Sequence, residues 1–567
     1  MLSKLLALLA AAFPLFVTAS SDCKCTPRDS CWPSDFDWQH FNATINGRLI
    51  KAHPAASVCY ESQPDYNEAA CSTIRDQWRN STFHGQDPIS IDYPFLANNT
   101  CPPTFPNGTS VSGDPNAGSK GCALGGYPDY VIDATSAEVI ATALKWAQRK
   151  RIRVVIKNSG HSHLGRSTGY GSLSIWTRNI KKVEYIESFQ SASCKSNFTH
   201  KAASIGAGEV GIDVNRALDK HGAVIVAGAN PSVGIVGWFT GGGHGPLSSD
   251  YGMGSDNLLE ATLITPNGTT LTVNACQHSD LFYALRGGGG GTYGVVTSAV
   301  MKAYASPRTT LWSFSINLLD QTKESQWWDL MVFFHSQLPA WKEAGMQGYY
   351  YVMGPPFMKS RMLVGGFYIV HTASSFMEIY GPTQNEEVGT GGFSLGSRLL
   401  PAEPLKDTKA MRTLLRELSG ASSDGTTSIP VAVIIGHVIA NSNNAGLETG
   451  LNSAWRKAVV HFLIVGGWED GAPDSVATAV RDDVTNSKTY AMRKLAPDSG
   501  AYFNEMDINE PNWQYTAFGS NYPRLRAVKK KYDPEGLLWC THCVGSEEWV
   551  PNDSGQLCRP SWFGDSA

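Results

Sequence analysis

The stretch from Val154 to Gly169 most restricts what this chain can become. A β-branched run, Val154-Val155-Ile156, gives way at Asn158 to small, polar and glycine-rich sequence around His161 and His163. The run reads as a buried strand, and the polar stretch after it as the loop that leaves the strand. Gly160, Gly165 and Gly169 permit turns that residues with a Cβ resist, and they leave backbone N–H groups open to an anion. Upstream, Tyr130-Val131-Ile132 is a short strand. Ser136 to Arg149 then places apolar residues at helical spacing behind a serine cap, with Glu138 in the first turn. Strand, helix and strand form a βαβ unit, so the loop at Asn158 leaves the carboxyl end of a parallel strand, where ligands of such sheets bind.

The chain has 567 residues, too many for one core, and is expected to form roughly two to four domains. Its 42% apolar and 17% charged content excludes a disordered chain. A net charge of −4 and the absence of a long basic stripe exclude a nucleic-acid partner; Lys529-Lys530-Lys531 reads as a solvated helix end. Lys4 precedes an apolar run from Leu5 to Val17 that exits through Thr18-Ala19-Ser20. That run is shorter than the about 20 residues of a membrane span and has the form of a secretory signal, expected over residues 1–20. All twelve cysteines lie beyond it, as do acceptor sequons at Asn42, Asn80, Asn98, Asn107, Asn197, Asn267 and Asn552. A secreted, disulfide-bonded glycoprotein with no membrane span is expected, although the sequence does not reveal the pairing.

Three motifs invite other chemistry. Gly206-Ala207-Gly208-Glu209-Val210-Gly211 comes after a strand and before a helix, as a dinucleotide fingerprint does. The acidic residue expected about 20 positions on is missing, where the chain reads Ala227-Gly228-Ala229-Asn230. The plainer reading is a turn between a strand and its packing helix. His161-Ser162-His163 lacks a nearby cluster to complete a metal site, so no metal is expected there. Cys540-Thr541-His542-Cys543 has the spacing of a zinc or redox pair, but in an exported chain it reads as structural disulfide.

A further pattern spans more of the chain. Asn158 to Gly169, the Gly228–Gly254 stretch, the Asp280–Gly294 stretch (DLFYALRGGGGGTYG) and the C-terminal AYFNEMD and FGSNYPRLRAVKKKYDP occur in this order. Together they resemble the berberine-bridge-enzyme-like branch of the vanillyl-alcohol-oxidase flavoprotein family. The N-terminal Cys31-Trp32-Pro33-Ser34 and the sequence from Asn42 to Ile50 are similar to its secreted fungal members. The resemblance implies an α+β fold: a two-subdomain FAD-binding domain over 125–305 and a substrate domain over 306–500 with a mixed or antiparallel sheet covered by helices. A cysteine-rich extension would occupy 21–124, and a segment over 501–567 would return to the FAD domain.

The resemblance also implies site residues. His161 stands where the family histidine is joined to the 8α position of FAD. Asn158, Ser159, Gly160, Ser162, Gly165 and Ser167 belong to the same loop. Gly234, Gly241, Gly242, Gly243, His244, Gly294, Val296, Asn504 and Asn521 fall at other cofactor-binding positions. Many relatives carry a second link from cysteine; here Asn230 occupies that position, so a single covalent bond is expected. Where relatives often read Tyr-x-Asn-Tyr, this chain reads Tyr502-Phe503-Asn504-Glu505. A glutamate in a flavin pocket acts as a base once desolvation raises its pKa, which makes Glu505 the candidate base with Tyr502 assisting. The plainer alternative has Glu505 facing solvent or paired with arginine. In a strand, Tyr502 and Asn504 would share one face and Phe503 and Glu505 the other, so all four reach the ring only if the strand bends.

The implied reaction is hydride transfer from a C–H bond of an alcohol, phenol, amine or sugar to FAD, with O2 as final acceptor and hydrogen peroxide as product. Oligosaccharide oxidation and secondary-metabolite tailoring are the alternatives within enzymes. The first would use Trp327, Trp328, Tyr349, Tyr350 or Tyr351 as a platform, although such residues are more often core. A secreted binding protein with a vestigial flavin fold is the alternative outside them.

Overall fold

The computed structural model describes residues 22–194, 199–354, 361–367, 373–382, 386–389, 391–420 and 433–560. The expected signal segment and the sequon at Asn197 lie outside them.

The β-branched run forms the strand Arg153–Lys157, and the helix before it is Ala137–Arg149, capped by the Ser136 side chain on the Val139 N–H. Its buried stripe of Val139, Ile140, Ala143, Leu144 and Ala147 packs on the sheet. The strands Tyr130–Asp133 and Arg153–Lys157 are not neighbours. Ser172–Trp176 lies between them and pairs in parallel with both. The crossover therefore spans a strand that arrives later in the chain, an arrangement local periodicity cannot disclose. The loop at Asn158 does leave the carboxyl end of a parallel strand.

Leu49–Lys51 completes this sheet on its antiparallel edge. Trp38 and Phe41 pack against Tyr130 and Trp146 at 3.9 and 4.3 Å between ring centroids, so the N-terminal segment is built into this core.

The second sheet has five antiparallel strands in the order Val183–Phe189, His200–Gly206, Val295–Lys302, Leu258–Ile264 and Thr270–Asn274. The GxGxxG motif turns out of this sheet into the helix Gly211–Asp219. A Rossmann fingerprint requires a parallel strand, so here the glycines serve a tight turn. A Cβ at Gly208 would stand 2.3 Å from the Arg178 carbonyl oxygen.

The third sheet has six strands in the order Leu311–Asn317, Arg361–Phe367, Gln347–Met353, Val433–Val438, Val460–Trp468 and Gly392–Leu400. Every pairing in it is antiparallel. One face is covered by helices that include Glu324–Glu343 and Thr408–Leu418. Trp327, Trp328 and Tyr350 are buried in the core between helices and sheet, which removes them as a sugar platform. The period of two turns Tyr349 and Tyr351 to the opposite face, where both line a cavity.

The C-terminal segment differs from a strand. Phe503–Glu505 is one turn of 3-10 helix, and the helices Trp513–Phe518 and Tyr522–Tyr532 come after it. Residues three apart eclipse in a 3-10 turn, so Tyr502 and Glu505 reach the same side. This is the bend that a strand would have needed.

All twelve cysteines are paired: Cys23–Cys558, Cys25–Cys31, Cys59–Cys71, Cys101–Cys122, Cys194–Cys276 and Cys540–Cys543. Among the described residues, no helix is long and apolar enough to cross a membrane.

Candidate active site

A cavity of about 430 Å³ is walled by all three large sheets and the C-terminal turn. Along one wall runs the loop after Lys157, represented by Asn158, Ser159, Gly160, His161, Ser162 and Ser167. Asn230, Gly234, His244, Gly294 and Val296 line it from the second motif group, and Tyr502, Asn504 and Glu505 from the C-terminal turn. Motifs distant in sequence therefore converge on one space.

The loop's turn at Gly160 has φ +97°, and a Cβ there would approach the Ile91 Cα and the Ser90 carbonyl at 3.1 Å. Glycine is required for this approach. Asn158 donates to the Ala207 carbonyl at 2.7 Å, and Ser159 accepts from the Gly234 N–H at 3.1 Å, so the loop is tied to the second sheet and the helix approach. Asn158 Oδ1 and Thr292 Oγ1 are buried in the cavity wall with no hydrogen-bond partner among the described residues. A polar ligand is the natural partner for such groups. Arg166 also lines the cavity; burial pushes its guanidinium down to about 10, and it donates to Asn504 Oδ1 at 2.6 Å. A glycine-bordered loop, orphaned polar atoms and a buried cation suit a phosphate-bearing cofactor.

His161 is held on three sides. Its Nδ1 lies 3.0 Å from Asp92 Oδ2, and its Nε2 lies 2.8 Å from Ser81 Oγ and 2.9 Å from Ser232 Oγ. Ser81 donates to Asp92 and Ser232 to Asn230, so both hydroxyls have oxygen lone pairs free to accept from the imidazole. Burial pushes the Asp92 carboxyl up, but His161 beside it, with His84 and Ser81, more than offsets this and holds it low. Asp92 and Ser81 belong to the N-terminal segment, and no local motif marked them. His163 bonds Tyr93 Oη at 2.8 Å.

Not every expected residue reaches the wall. Gly165 takes φ +66° just behind it, and Gly241, Gly242 and Gly243 support the C-terminal turn from beneath. The Gly243 N–H donates to Tyr502 Oη at 3.2 Å. Asn521 is turned elsewhere, donating to the Leu451 carbonyl at 2.8 Å.

Glu505 has the least expected surroundings. Its Oε1 lies 3.2 Å from His244 Nε2, and its Oε2 lies 3.6 Å from His461 Nδ1 and 3.8 Å from His437 Nδ1. His437 and His461 are cross-strand partners in the third sheet, with Nδ1 atoms 3.3 Å apart. Desolvation alone would raise the Glu505 carboxyl, the direction expected of a glutamate in a flavin pocket. The histidines, His244 foremost, reverse the sign and hold it at about 2. His437 and His461 are themselves held well below the usual imidazole range, by burial first and then by His244. The site therefore sets a carboxylate against two buried imidazoles, His437 and His461, whose protonation burial disfavours. Tyr502 accepts from Gly243 N–H and from Asn504 Nδ2 at 2.6 Å, which leaves its own proton available to donate. Burial raises its phenol above the ordinary value.

Comparison with known proteins assigns this architecture. Residues 128–274 match the FAD binding domain family, and residues 501–545 match the berberine and berberine-like family. The FAD-linked oxidoreductase patO of Aspergillus clavatus is 33% identical, covering 96% of each chain. The chain belongs to the berberine-bridge-enzyme-like FAD-linked oxidoreductases. Another such enzyme, ZEB1 of Gibberella zeae, is 32% identical over 95% of both chains. The crystal structure of the VAO-type flavoprotein MtVAO713 from Myceliophthora thermophila C1 superposes with a TM-score of 0.85 at 29% identity, covering 95% of this chain and all of that one. As an FAD-linked oxidoreductase the protein is an enzyme, and the vestigial-fold alternative falls away.

Proposed function

We propose that this FAD-linked oxidoreductase is a secreted oxidase of an alcohol, phenol, amine or sugar, with its cofactor held through one covalent bond from His161. The observation that carries the reading is the Glu505 carboxyl on the wall of the same cavity as the His161 loop. When bound, FAD would supply the two-electron hydride acceptor, with O2 as the proposed final acceptor giving hydrogen peroxide. Asn158, Ser159, Gly160 and Ser162 would hold its phosphates and His161 its ring. Asp92, Ser81 and Ser232 keep the His161 imidazole in one orientation, which favours bond formation by lowering the entropy cost of reaching it. The chain has no free thiol, because all its cysteines are in disulfides, and Asn230 stands at the usual second-link position. These facts support a single link.

Glu505 is the proposed acceptor of the proton from the substrate heteroatom; His244, 3.2 Å away, orients the carboxylate and keeps it ionised but weakly basic, so proton uptake requires that contact to loosen. Tyr502 assists as a hydrogen-bond donor rather than as a second base. Tyr349 and Tyr351 restrict the substrate end of the cavity. Since three of the five candidate platform aromatics are core, a compact substrate fits better than a long oligosaccharide. Six disulfides and the sequons support export and glycosylation.

Acid precipitation of the purified protein tests the linkage. A yellow, fluorescent pellet from wild type and a colourless one from His161→Ala are expected; a colourless wild-type pellet rejects the bond. Photoreduction without oxygen, then admission of air, tests the acceptor. Rapid return of flavin absorbance with peroxide formation is expected. Oxygen consumption across alcohols, phenols, amines and sugars then identifies the substrate.

A further inference from the structure

The tetrad His244, His437, His461 and Glu505 has a geometry that base catalysis does not require. Their ligand atoms lie within 4.8 Å of one another. The closest approaches are 3.2 Å from His244 Nε2 to Glu505 Oε1, 3.6 and 3.8 Å from His461 and His437 Nδ1 to Glu505 Oε2, and 3.3 Å between those two Nδ1 atoms. A tetrahedral zinc, with bonds of about 2.0–2.1 Å to nitrogen or oxygen, sets its ligand atoms about 3.3 Å apart. Two of the contacts to Glu505 are too long for hydrogen bonds yet close to that edge. Accordingly, Glu505 Oε2 is buried with no hydrogen-bond partner among the described residues.

We infer that these four side chains form a binding site for a divalent transition cation of the zinc type at the substrate end of the flavin cavity. Three imidazoles, unprotonated as metal ligation requires, and one carboxylate would supply a borderline-soft donor set with a single negative charge, suited to Zn²⁺ rather than to Mg²⁺. His437 and His461 stand side by side on adjacent strands, where the sheet fixes their spacing. His244 and Glu505 enter from the glycine-rich loop and the 3-10 turn. The only other cluster of metal-ligating type among the described residues, Cys25, Asp29 and Cys31, has its two sulfurs in a disulfide and offers no thiolates.

The cation site rests on cavity geometry and not on the proposed turnover. Glu505 serves in both, however, so a bound cation would occupy the carboxylate that accepts the proton. Binding and base function are therefore mutually exclusive.

The test is a titration of the flavin-loaded protein, first dialysed against a chelator, with Zn²⁺ at pH 7.5, read by equilibrium dialysis and elemental analysis. One equivalent of zinc per chain is expected, and no Mg²⁺ at the same concentrations. Affinity is expected to fall at least tenfold in His437→Gln and in Glu505→Gln, each checked for flavin content and melting temperature. His437 lines the cavity, so its replacement is preferred to that of the fully buried His461. Co²⁺ provides a second reading: intense tetrahedral d–d bands in wild type, lost in His437→Gln. The site is overturned if wild type binds no stoichiometric zinc, if binding survives in both variants, or if Co²⁺ gives only a weak octahedral spectrum. None of these readings uses a substrate. A failed titration leaves the role of Glu505 as base standing, and a Glu505→Gln variant that still turns over leaves the metal site standing.

Discussion

Asp92 Oδ2 stands 3.0 Å from His161 Nδ1, joining the cysteine-rich N-terminal segment to the loop that lines the cavity. The carboxylate is fully buried, so its charge has few other routes to compensation. The N-terminal segment is thereby part of the site and not merely its cover.

Asp92→Asn keeps the shape and removes the charge. The fraction of protein carrying acid-stable flavin is expected to fall. Stability is expected to drop by about 1–3 kcal/mol, the usual effect of spoiling a buried charged hydrogen bond, read as a lower melting temperature. The Asp92 pKa is depressed in the folded protein, so its stabilisation is fully present above the unfolded carboxyl value of 3.8 and is lost as pH falls through the folded value. Thermal stability measured against pH is expected to lose this contribution only below about pH 4.

Glu505→Gln removes the proposed base, and kcat is expected to fall by roughly 10²–10⁴, with a smaller change in KM. The pH profile of the wild type offers a separate check. With the carboxyl held at about 2, Glu505 stays ionised through the mildly acidic range, and no acid limb between pH 4 and 6 should arise from it. A limb near pH 5–6 that vanishes in Glu505→Gln would show that the histidines do not hold the carboxylate down. The same depression, from 4.5 to about 2, makes the stabilisation due to Glu505 complete above pH 4.5 and lost as pH falls toward 2.

Gly241→Ala would place a Cβ 2.1 Å from Asn504 Oδ1, the atom that accepts from Arg166 at 2.6 Å. The C-terminal turn must move to make room, at a cost of about 1–3 kcal/mol for overpacking. Reduced flavin retention and a lower melting temperature are expected. Gly446→Ala is the control, since a Cβ there meets nothing within 4 Å and the residue does not line the cavity.

Cys23–Cys558 closes nearly the whole chain into a loop. Replacing both cysteines with serine is expected to cost about 2–5 kcal/mol, seen as a lower denaturation midpoint. Flavin content should be retained, because the bond lies among the terminal segments and not on the cavity wall.

The loop half of the proposed site was legible in the sequence because its signals are local. A β-branched run stopping at Asn158, glycines where the chain turns, and histidine at one position of the loop carry their meaning within a dozen residues. The serine-capped helix was legible for the same reason. Tyr502-Phe503-Asn504-Glu505 was visible as a motif, but its shape was not. Strand alternation would have split it between two faces, and the 3-10 turn brings Tyr502 and Glu505 together.

What only the tertiary structure decided is the environment of that glutamate. His437 and His461 meet through register between strands of the third sheet, while His244 arrives from another segment altogether. No spacing in the chain encodes this meeting, because sheet register sets which side chains become neighbours. The sign of the pKa shift came with it: burial alone raises a carboxyl, and His244 foremost, with His437 and His163, lowers it. The sequence by itself determined the cofactor loop and the chemistry available to it, since short-range backbone requirements are written residue by residue. The electrostatics of Glu505, the support of His161 by Asp92 and the pairing of twelve cysteines depend on distances across the folded chain, which packing alone establishes.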